Sequence, residues 1–289
     1  MTSEITILHE KLEHLKQWFK ENPKLPTEIN TTLLRRFLKC MNGDIEDTKQ
    51  LLELNYQLRN KNEHLFINRD PYDEMTQKSF QTVDMVPLPG VTPENYKILC
   101  FRLTEKDVKA QNSIEECKAF FLVADVRFIY SDVEEDFAND AEVEEMESLA
   151  SGEIHIVDIG NYSLRHMASM SLMTMRTYMN FLQHAYPVRL KAMHIINCPT
   201  YLNRMVAITR PFIHEDVFKM IHFHTDGIES LYEHVPRDML PSEYGGKAES
   251  LSVIKSKWWN ILTKKRDYLV DPNQWVVAKS ETKSGWLWW

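Results

Sequence analysis

The sequence predicts an α/β fold standing behind a helical N-terminal lobe. Three observations carry that prediction. Apolar residues repeat at helical spacing through the first part of the chain, short apolar runs of strand length follow, and amphipathic helical stretches alternate with those runs.

Ile5, Leu8, Leu12, Leu15 and Phe19 fall at three- and four-residue steps, one helix face that stops before Pro23. In TTLLRRFLKCMNGDIEDTKQLLELNYQLRN, Thr31 or Thr32 caps a short helix carrying Leu33, Leu34, Phe37 and Leu38. Gly43 breaks it, and Asp44 caps a second helix bearing Ile45, Leu51, Leu52, Leu54 and Leu58. A loop with Pro71 follows, and the prolines and Gly90 of VPLPGVTPENY exclude a regular element. KILCFRL (Lys97–Leu103) then reads as a strand, and Ile114, Cys117, Phe121, Ala124 and Phe128 as a helix stripe. IHIVDI (Ile154–Ile159) is a second strand, RHMASMSLMTMRTYMNFLQ (Arg165–Gln183) a second helix and AMHIIN (Ala192–Asn197) a third strand. The helix YLNRMVAITRPFI and the short strand MIHFH complete a pattern that predicts a mainly parallel sheet with right-handed crossovers. The domain organisation expected is a helical lobe over residues 1–75, an α/β domain over 76–265 and a C-terminal tail over 266–289.

With 289 residues the chain is long enough to bury a full core, and its 43% hydrophobic and 26% charged residues are ordinary for a soluble globular protein. A net charge of −8 argues against general nucleic-acid binding, which needs a basic surface. The acids concentrate in SDVEEDFANDAEVEEMESLASGE, which has no Lys or Arg and no EF-hand spacing, so a solvated connector is expected there. Cys40, Cys100, Cys117 and Cys198 form no C-x-x-C pair, which suits reduced thiols. The N-terminus lacks the pattern of a signal peptide and no apolar run is long enough to span a bilayer, so a soluble, cytoplasmic protein is expected.

A search for catalytic chemistry finds little. The eight glycines give no G-x-G-x-x-G and no G-x-x-x-x-G-K, and neither G-x-S-x-G nor H-E-x-x-H occurs. His222 and His224 in MIHFH would share a strand face and could reach one ion, with His214, Glu215 and Asp216 upstream as further ligands. Zinc needs three or four convergent ligands, so a hydrogen-bonded histidine pair near a sheet edge is the expectation, with no metal and no cofactor. Asp158 and Asn197 end two strands, where ligand-facing residues of α/β sheets often sit, although polar groups closing strand ends are commoner. Enzyme activity is not expected.

Five methionines, Met167, Met170, Met173, Met175 and Met179, crowd one helical stretch. Leu172, Met175, Met179 and Leu182 make one continuous face and Met173 and Phe181 another, an apolar arc wider than one sheet contact needs. Leu202, Met205, Val206, Ile208 and Phe212 make the next helix equally apolar. Thioethers select Cu(I), but the interleaved Leu, Tyr and Phe favour either an ordinary core or the wall of an apolar pocket. Periodicity leaves those two readings level.

The motifs TTLLRRFLKC, HIVDIGNYSLRHM, YPVRLKAMHIINCP, RPFI and LPSEYGG, in this order and spacing, resemble the CRAL-TRIO, or Sec14-like, lipid-binding family. The branch with cellular retinaldehyde-binding and alpha-tocopherol transfer proteins is the most similar, and PLPGVTPENYKILCFRL looks like insect members. The resemblance covers about residues 30–265. It implies a small helical lobe leaning on an α/β domain whose sheet floors an apolar pocket. A gate helix from Thr200 to about Lys219, with Pro211 in the place of the family's KPF, would close it. The residues expected to meet a ligand are Cys117, Phe120, Phe121 and Ala124 on the first helix of the α/β domain and Val157 on the second strand. Met175, Tyr178, Met179, Phe181 and Leu182 follow on the methionine helix, Met193 and Ile195 on the third strand, and Leu202, Met205, Val206 and Ile208 on the gate. Inward Phe120, Tyr178 and Phe181 would favour a guest slimmer than a two-chain phospholipid.

By the same resemblance, Arg189 and Lys191 occupy positions used beside the gate to meet phosphoinositide headgroups. Asp216, Met220 and Met41 stand where related patterns are basic. The function implied is noncovalent binding of a small hydrophobic ligand (tocopherol, retinoid, carotenoid or similar lipid) and its transfer between membranes by a monomer. A phosphoinositide-sensing module is the alternative. Outside the resemblance, Trp286, Trp288 and Trp289 end the chain, as a membrane-interface anchor or docked on the body.

Overall fold

Caps and apolar periodicity together set the N-terminal lobe. The computed structural model describes residues 2–67, 69–104, 106–110, 112–133 and 145–278. Helix α1 (Thr2–Glu21) buries Leu12, Leu15 and Phe19 and ends just before Pro23. Helix α2 (Thr31–Cys40) is capped by Asn30 rather than by either threonine: its side-chain oxygen accepts from the N–H groups of Thr32 and Leu33. Asparagine is the stronger cap and stands one residue earlier. Gly43, at φ +77°, closes that helix by donating to Leu38 O at 2.8 Å, and Asp44 caps α3 (Ile45–Lys61). The short α4 (Glu63–Phe66) follows.

The next stretch departs in part from expectation. Pro71 lies in a loop as expected, but Asp73 then caps α5 (Glu74–Thr82), which runs straight into strand β1 (Val83–Pro87). Residues 88–95 form no helix or strand, as the prolines and Gly90 of VPLPGVTPENY predict, but Val86 and Pro87 at its start belong to β1. β1 is an edge strand, antiparallel to β2 (Tyr96–Leu103) alone, and Pro87 closes it.

Up to the last strand the remaining elements alternate as predicted, and the C-terminal helices that follow it were not anticipated. Helix α6 (Ser113–Arg127) leads to β3 (Gly152–Asp158), α7 (Leu164–Ser169), α8 (Leu172–His184) and β4 (Leu190–Ile196). Then come α9 (Leu202–Thr209), α10 (Glu215–Phe218), β5 (Ile221–Phe223), α11 (Leu251–Lys264), α12 (Arg266–Val270) and α13 (Pro272–Trp275). The five strands lie in the order β1-β2-β3-β4-β5, parallel throughout except for β1. The methionine stretch, expected as one helix, is two: Ser171 caps α8 by accepting from the Thr174 N–H, which ends α7 at Ser169. Leu172 therefore begins a helix, and at 56% exposure it does not continue the face of Met175, Met179 and Leu182.

Register separates the two sheet faces. Ile98, Ile154, Cys100, Ile156 and Ile196 belong to the main core. On the other face His155 pairs across to Met193 and Ile221, and Val157 to Ile195 and Phe223.

Buried ion pairs tie the layers together. Arg59 makes a two-point bond to Asp125 at 2.9 and 2.7 Å, and Arg69 bonds the same carboxylate. Both guanidiniums lie over the Trp275 ring, 4.9 and 4.8 Å from its centre, so the C-terminal helices are fastened to the lobe. In a second network Arg36 and Arg127 grip Asp132 at 2.5 and 2.8 Å, and Arg127 and His155 grip Glu153. Burial alone would raise the Asp132 pKa, but the flanking Arg36 and Arg127 hold its carboxyl far below the usual range. The expectation of a solvated connector thus fails at both ends of the acidic run, because Asp132 and Glu153 are the counter-ions of buried arginines. Residues 134–144 between them, and the terminal Trp286, Trp288 and Trp289, lie outside the described residues.

Candidate functional site

The sheet face carrying Val157, Met193, Ile195, Ile221 and Phe223 does not pack against a single helix. It floors a cavity of about 250 Å³. Met167 of α7, Met170 in the turn after it, and Met175, Tyr178 and Met179 of α8 form one wall. Leu202, Met205, Val206 and Thr209 of α9, with Ile213 and Phe218, form the roof. Apart from the Thr209 hydroxyl and the phenols of Tyr162 and Tyr178, every lining side chain is apolar. Nothing there could carry acid–base or nucleophilic chemistry at ordinary pKa values, and what it offers a guest is shape and dispersion contact.

Two compartments adjoin it. One, of about 230 Å³, lies between α6 and α8 and adds Ser113, Glu116, Cys117, Phe120, His155 and Thr174 to walls shared with the first. The other, of about 520 Å³, reaches the N-terminal lobe at Cys40 and Met41 and carries Arg189 and Lys191. Met179 and Met193 line all three. Flexible thioethers therefore stand at the partitions, where a change of rotamer joins or divides the space.

The roof is built in pieces. It comprises α9, one turn of 3₁₀ helix at Arg210–Phe212 and the single turn of α10. Pro211 begins the break expected for a proline inside a helical run. Tyr201 anchors the leading end, its hydroxyl donating to Tyr162 O at 2.8 Å. At the break, the Gln183 side chain donates to Phe212 O at 3.1 Å and accepts from the His214 N–H at 2.6 Å. Arg210 lies over the Phe218 ring, 4.5 Å from its centre, and donates to Ile213 O. The apolar face of α9 is turned inward, while Asn203, Arg204 and Ala207 are exposed.

The structure gathers most of the residues anticipated from sequence and scatters a few. Val157, Met175, Tyr178, Met179, Met193 and Ile195 line the first compartment, with Leu202, Met205 and Val206 above them. Cys117, Phe120 and Leu182 line the second. Phe121, Ala124 and Phe181 do not reach the cavity. Phe121 and Phe181 meet edge to face at 5.0 Å and both meet Phe66 of α4, so that side of α6 and α8 holds the lobe. A helix apolar on two sides gave no signal as to which side faced which neighbour. Ile208 is half-buried on the flank of the roof and is not among the cavity-lining residues. Arg189 and Lys191 are exposed at the third compartment, where Lys191 lies 5.3 Å from the centre of the Tyr96 ring. Strand alternation from Met193 and Ile195 could have found His155, Ile221 and Phe223. No pattern pointed to Tyr162, Ser113 or Glu116.

His222 and His224 belong to a different place. His222 shares register with His194 on the sheet face opposite the cavity. His194 and His222 stack at 5.1 Å, the ring of His234 lies 5.2 and 5.3 Å from those two, and His194 Nδ1 meets His224 Nε2 at 3.0 Å. Stacked rings do not aim their nitrogens at one point, and among the described residues no three His, Cys, Asp or Glu side chains are placed to hold a metal. His214 caps α10 instead, accepting from the Asp216 N–H. Asp158 and Asn197 are structural: Asp158 accepts from the Tyr244 hydroxyl at 3.0 Å and from the Gly160 N–H, and Asn197 turns the chain at φ +53°. The four thiols are free. Among the described residues no helix is long and apolar enough to cross a membrane.

An apolar cavity on a parallel sheet beneath a segmented helical roof defines a class of protein that encloses small hydrophobic molecules. Comparison with known proteins narrows the class. Residues 82–246 match the CRAL/TRIO domain, and residues 5–76 match the Pinta-like UBA domain. The chain belongs to the CRAL/TRIO family, a family of lipid-binding and lipid-transfer proteins. It is 27% identical to the alpha-tocopherol transfer protein-like protein of Mus musculus over 254 residues, which cover 86% of this chain and 68% of the relative. It is 24% identical to clavesin-1 of Xenopus laevis over 244 residues, 83% of this chain and 68% of that protein. The crystal structure of Sfh5 superposes with a TM-score of 0.54 at 15% identity, covering 91% of this chain and 98% of that one, which is a likeness of fold.

Proposed function

We propose that the chain binds one small hydrophobic molecule noncovalently under the α9 roof and carries it between membranes as a monomer. The observation that carries this reading is the lining of the first compartment, apolar on floor, wall and roof alike. At roughly 0.8 kcal/mol per buried CH₂, a guest of about fifteen carbons gains on the order of 12 kcal/mol gross on leaving water. Such a guest leaves slowly while the roof is shut, so delivery requires the roof to move. Turning α9 outward at a bilayer would exchange its contacts with the floor for contacts with lipid. A tocopherol, a retinoid, a carotenoid or a similar slender lipid suits the space, with Phe120 and Tyr178 crowding the second compartment.

Arg189 and Lys191, exposed at the third compartment, support a second reading in which the fold senses an anionic phosphoinositide headgroup. Intact mass under native and denaturing conditions, on protein taken from its own tissue, separates the two. A stoichiometric apolar molecule present only in the native spectrum is the expected result. Protein that stays empty after incubation with mixed lipids would overturn the carrier and leave the sensor.

A further inference from the structure

Four imidazoles meet on the face of the sheet turned away from the cavity. His194 of β4 and His224, just after β5, are buried, while His222 of β5 and His234 are exposed. Neighbouring ring centres lie 5.1 to 6.0 Å apart. The hydrogen bonds fix where the protons of the two buried, neutral rings lie. The Ser230 hydroxyl donates to Gly227 O at 2.9 Å, so it accepts from Nδ1–H of His224 at 2.7 Å. His224 Nε2 is then the acceptor nitrogen of its ring and takes the Nδ1–H of His194 at 3.0 Å. The chain runs in one direction and ends on a carbonyl, with no place for another proton. A proton added at His224 Nε2 meets the Nδ1–H of His194. Moving the His194 proton to its other nitrogen relieves that clash but leaves a cation buried among imidazoles.

Little stands near to neutralise it. Ile156 of β3 lies in register with His194, and the Cys198 thiol beside His224 donates to Ile195 O. The 3₁₀ helix Ile228–Glu233 brings the carboxylate of Glu233 to bear on His224, but Glu233 is exposed, as are Asp226 and Glu229 earlier in the same segment. Burial, and then the neighbouring rings, hold both His194 and His224 below the ordinary imidazole range.

What these rings hold in place is part of the cavity. β5 is three residues long and lies at the sheet edge, paired with β4 alone. His222 and His224 flank Phe223, whose side chain points the other way into the floor, beside Ile221. Phe218 of α10, close upstream, belongs to the roof. Residues 218–223 thus give the cavity three lining side chains. Their attachment to β4 includes Met220 O, which accepts from the Met193 N–H, and the His224 N–H, which donates to Ile195 O, each at 2.9 Å. Building on the carrier reading above, we propose that the imidazole cluster is an acid-sensitive latch: protonation parts β5 from β4, opens the edge of the cavity floor and releases the guest. Each buried ring that is neutral when the latch is closed and free to titrate when it is open favours opening roughly tenfold more at about pH 5.5 than at about pH 7.5. This exit lies at the sheet edge and leaves the Gln183 bridge of the roof in place.

Full-length protein is loaded at about pH 7.5 with all-trans-retinol and, separately, with dehydroergosterol. Transfer of each fluorescent lipid to excess phosphatidylcholine vesicles is then timed between about pH 7.5 and about pH 5.5. Hydrogen exchange read by mass spectrometry, expressed as protection so that the intrinsic pH dependence cancels, compares residues 218–225 with β3. Circular dichroism checks that the fold persists. The expected result is transfer faster by on the order of tenfold or more at the lower pH, with protection lost at 218–225 and kept in β3. His194→Asn, whose amide replaces the Nδ1–H donor but does not titrate, is expected to keep the wild-type rate near neutrality and to show a severalfold smaller acceleration. The exchange data on the wild type stand without this variant. Loading followed by pH-independent transfer, equal acceleration in the variant, or acceleration that accompanies loss of the circular dichroism signal overturns the latch and leaves the carrier. Loading of neither lipid overturns the carrier, and the latch with it.

Discussion

Gln183 illustrates how much one side chain can settle. Its amide bridges the two sides of the break in the roof, donating to Phe212 O and accepting from the His214 N–H. Each such bond contributes about 1 kcal/mol net, and both must break before α9 can swing away from Met193 and Ile195. Gln183→Ala is therefore expected to speed transfer of a bound fluorescent lipid, such as all-trans-retinol, to excess vesicles by on the order of tenfold. An unchanged transfer rate would show that the roof opens elsewhere. Glycine at 246 is another single-residue decision: a Cβ there would stand 1.9 Å from Leu240 O. The LPSEYGG sequence marks a turn, but only the fold reveals that the last glycine is required by a passing carbonyl.

At the scale of elements, helices and strands were legible wherever local signals sufficed. Asp44 and Gly43 announced their boundary, and the apolar runs around Ile98, Ile156 and Ile195 announced theirs. The signals failed where the deciding fact was a neighbour. Pro87 is admissible because β1 is an edge strand, and Ser171 divides the methionine stretch because its hydroxyl reaches the Thr174 N–H. Strand β5 shows the same dependence. Ile221 and Phe223 belong to the cavity, and on the opposite face His222 joins His194, His224 and His234. The His194 pKa is held down to about 3, by burial first and then by the three neighbouring imidazoles. His224 is lowered by burial, then by His234 and His222, with Glu233 on the segment packed against it acting in the opposite sense. Between the lowered folded values and the unfolded value of 6.5, the unfolded chain binds more protons than the folded one. The cluster's contribution to stability is thus complete above 6.5 and is lost as pH falls below it. The midpoint of urea unfolding is expected to drop between about pH 7.5 and about pH 5.5, and to drop less in His194→Gln. Equal drops in the two proteins would assign the pH dependence to other groups.

At the scale of the whole molecule, the lobe, the α/β domain and the C-terminal helices meet at one carboxylate. Asp125 of α6 binds Arg59 of α3 and Arg69, and Trp275 covers both guanidiniums. Removing one charge from such a group leaves buried cations without a counter-ion. Asp125→Asn is expected to cost about 3–5 kcal/mol in guanidinium unfolding. The wild type is expected to unfold in a single transition, because lobe and domain share this centre. A variant within about 1 kcal/mol of wild type would mean that the interface rests on its aromatic contacts instead.

The sequence by itself determined the α/β alternation and the helical lobe. These follow from periodicity and capping, which are local and act within a few residues of chain, whereas the apolar residues that face the cavity were anticipated through the family resemblance and not from periodicity. The tertiary structure alone decided which side of an all-apolar helix meets the cavity and which meets the lobe, sending Phe120 inward and Phe121 against Phe66. It likewise decided that Asp132 and Glu153 leave an acidic run to neutralise buried arginines, and that Glu116, His155 and Thr174 line one compartment. Those outcomes depend on partners distant in sequence, brought together only when the sheet and its helices close around a space that they leave unfilled.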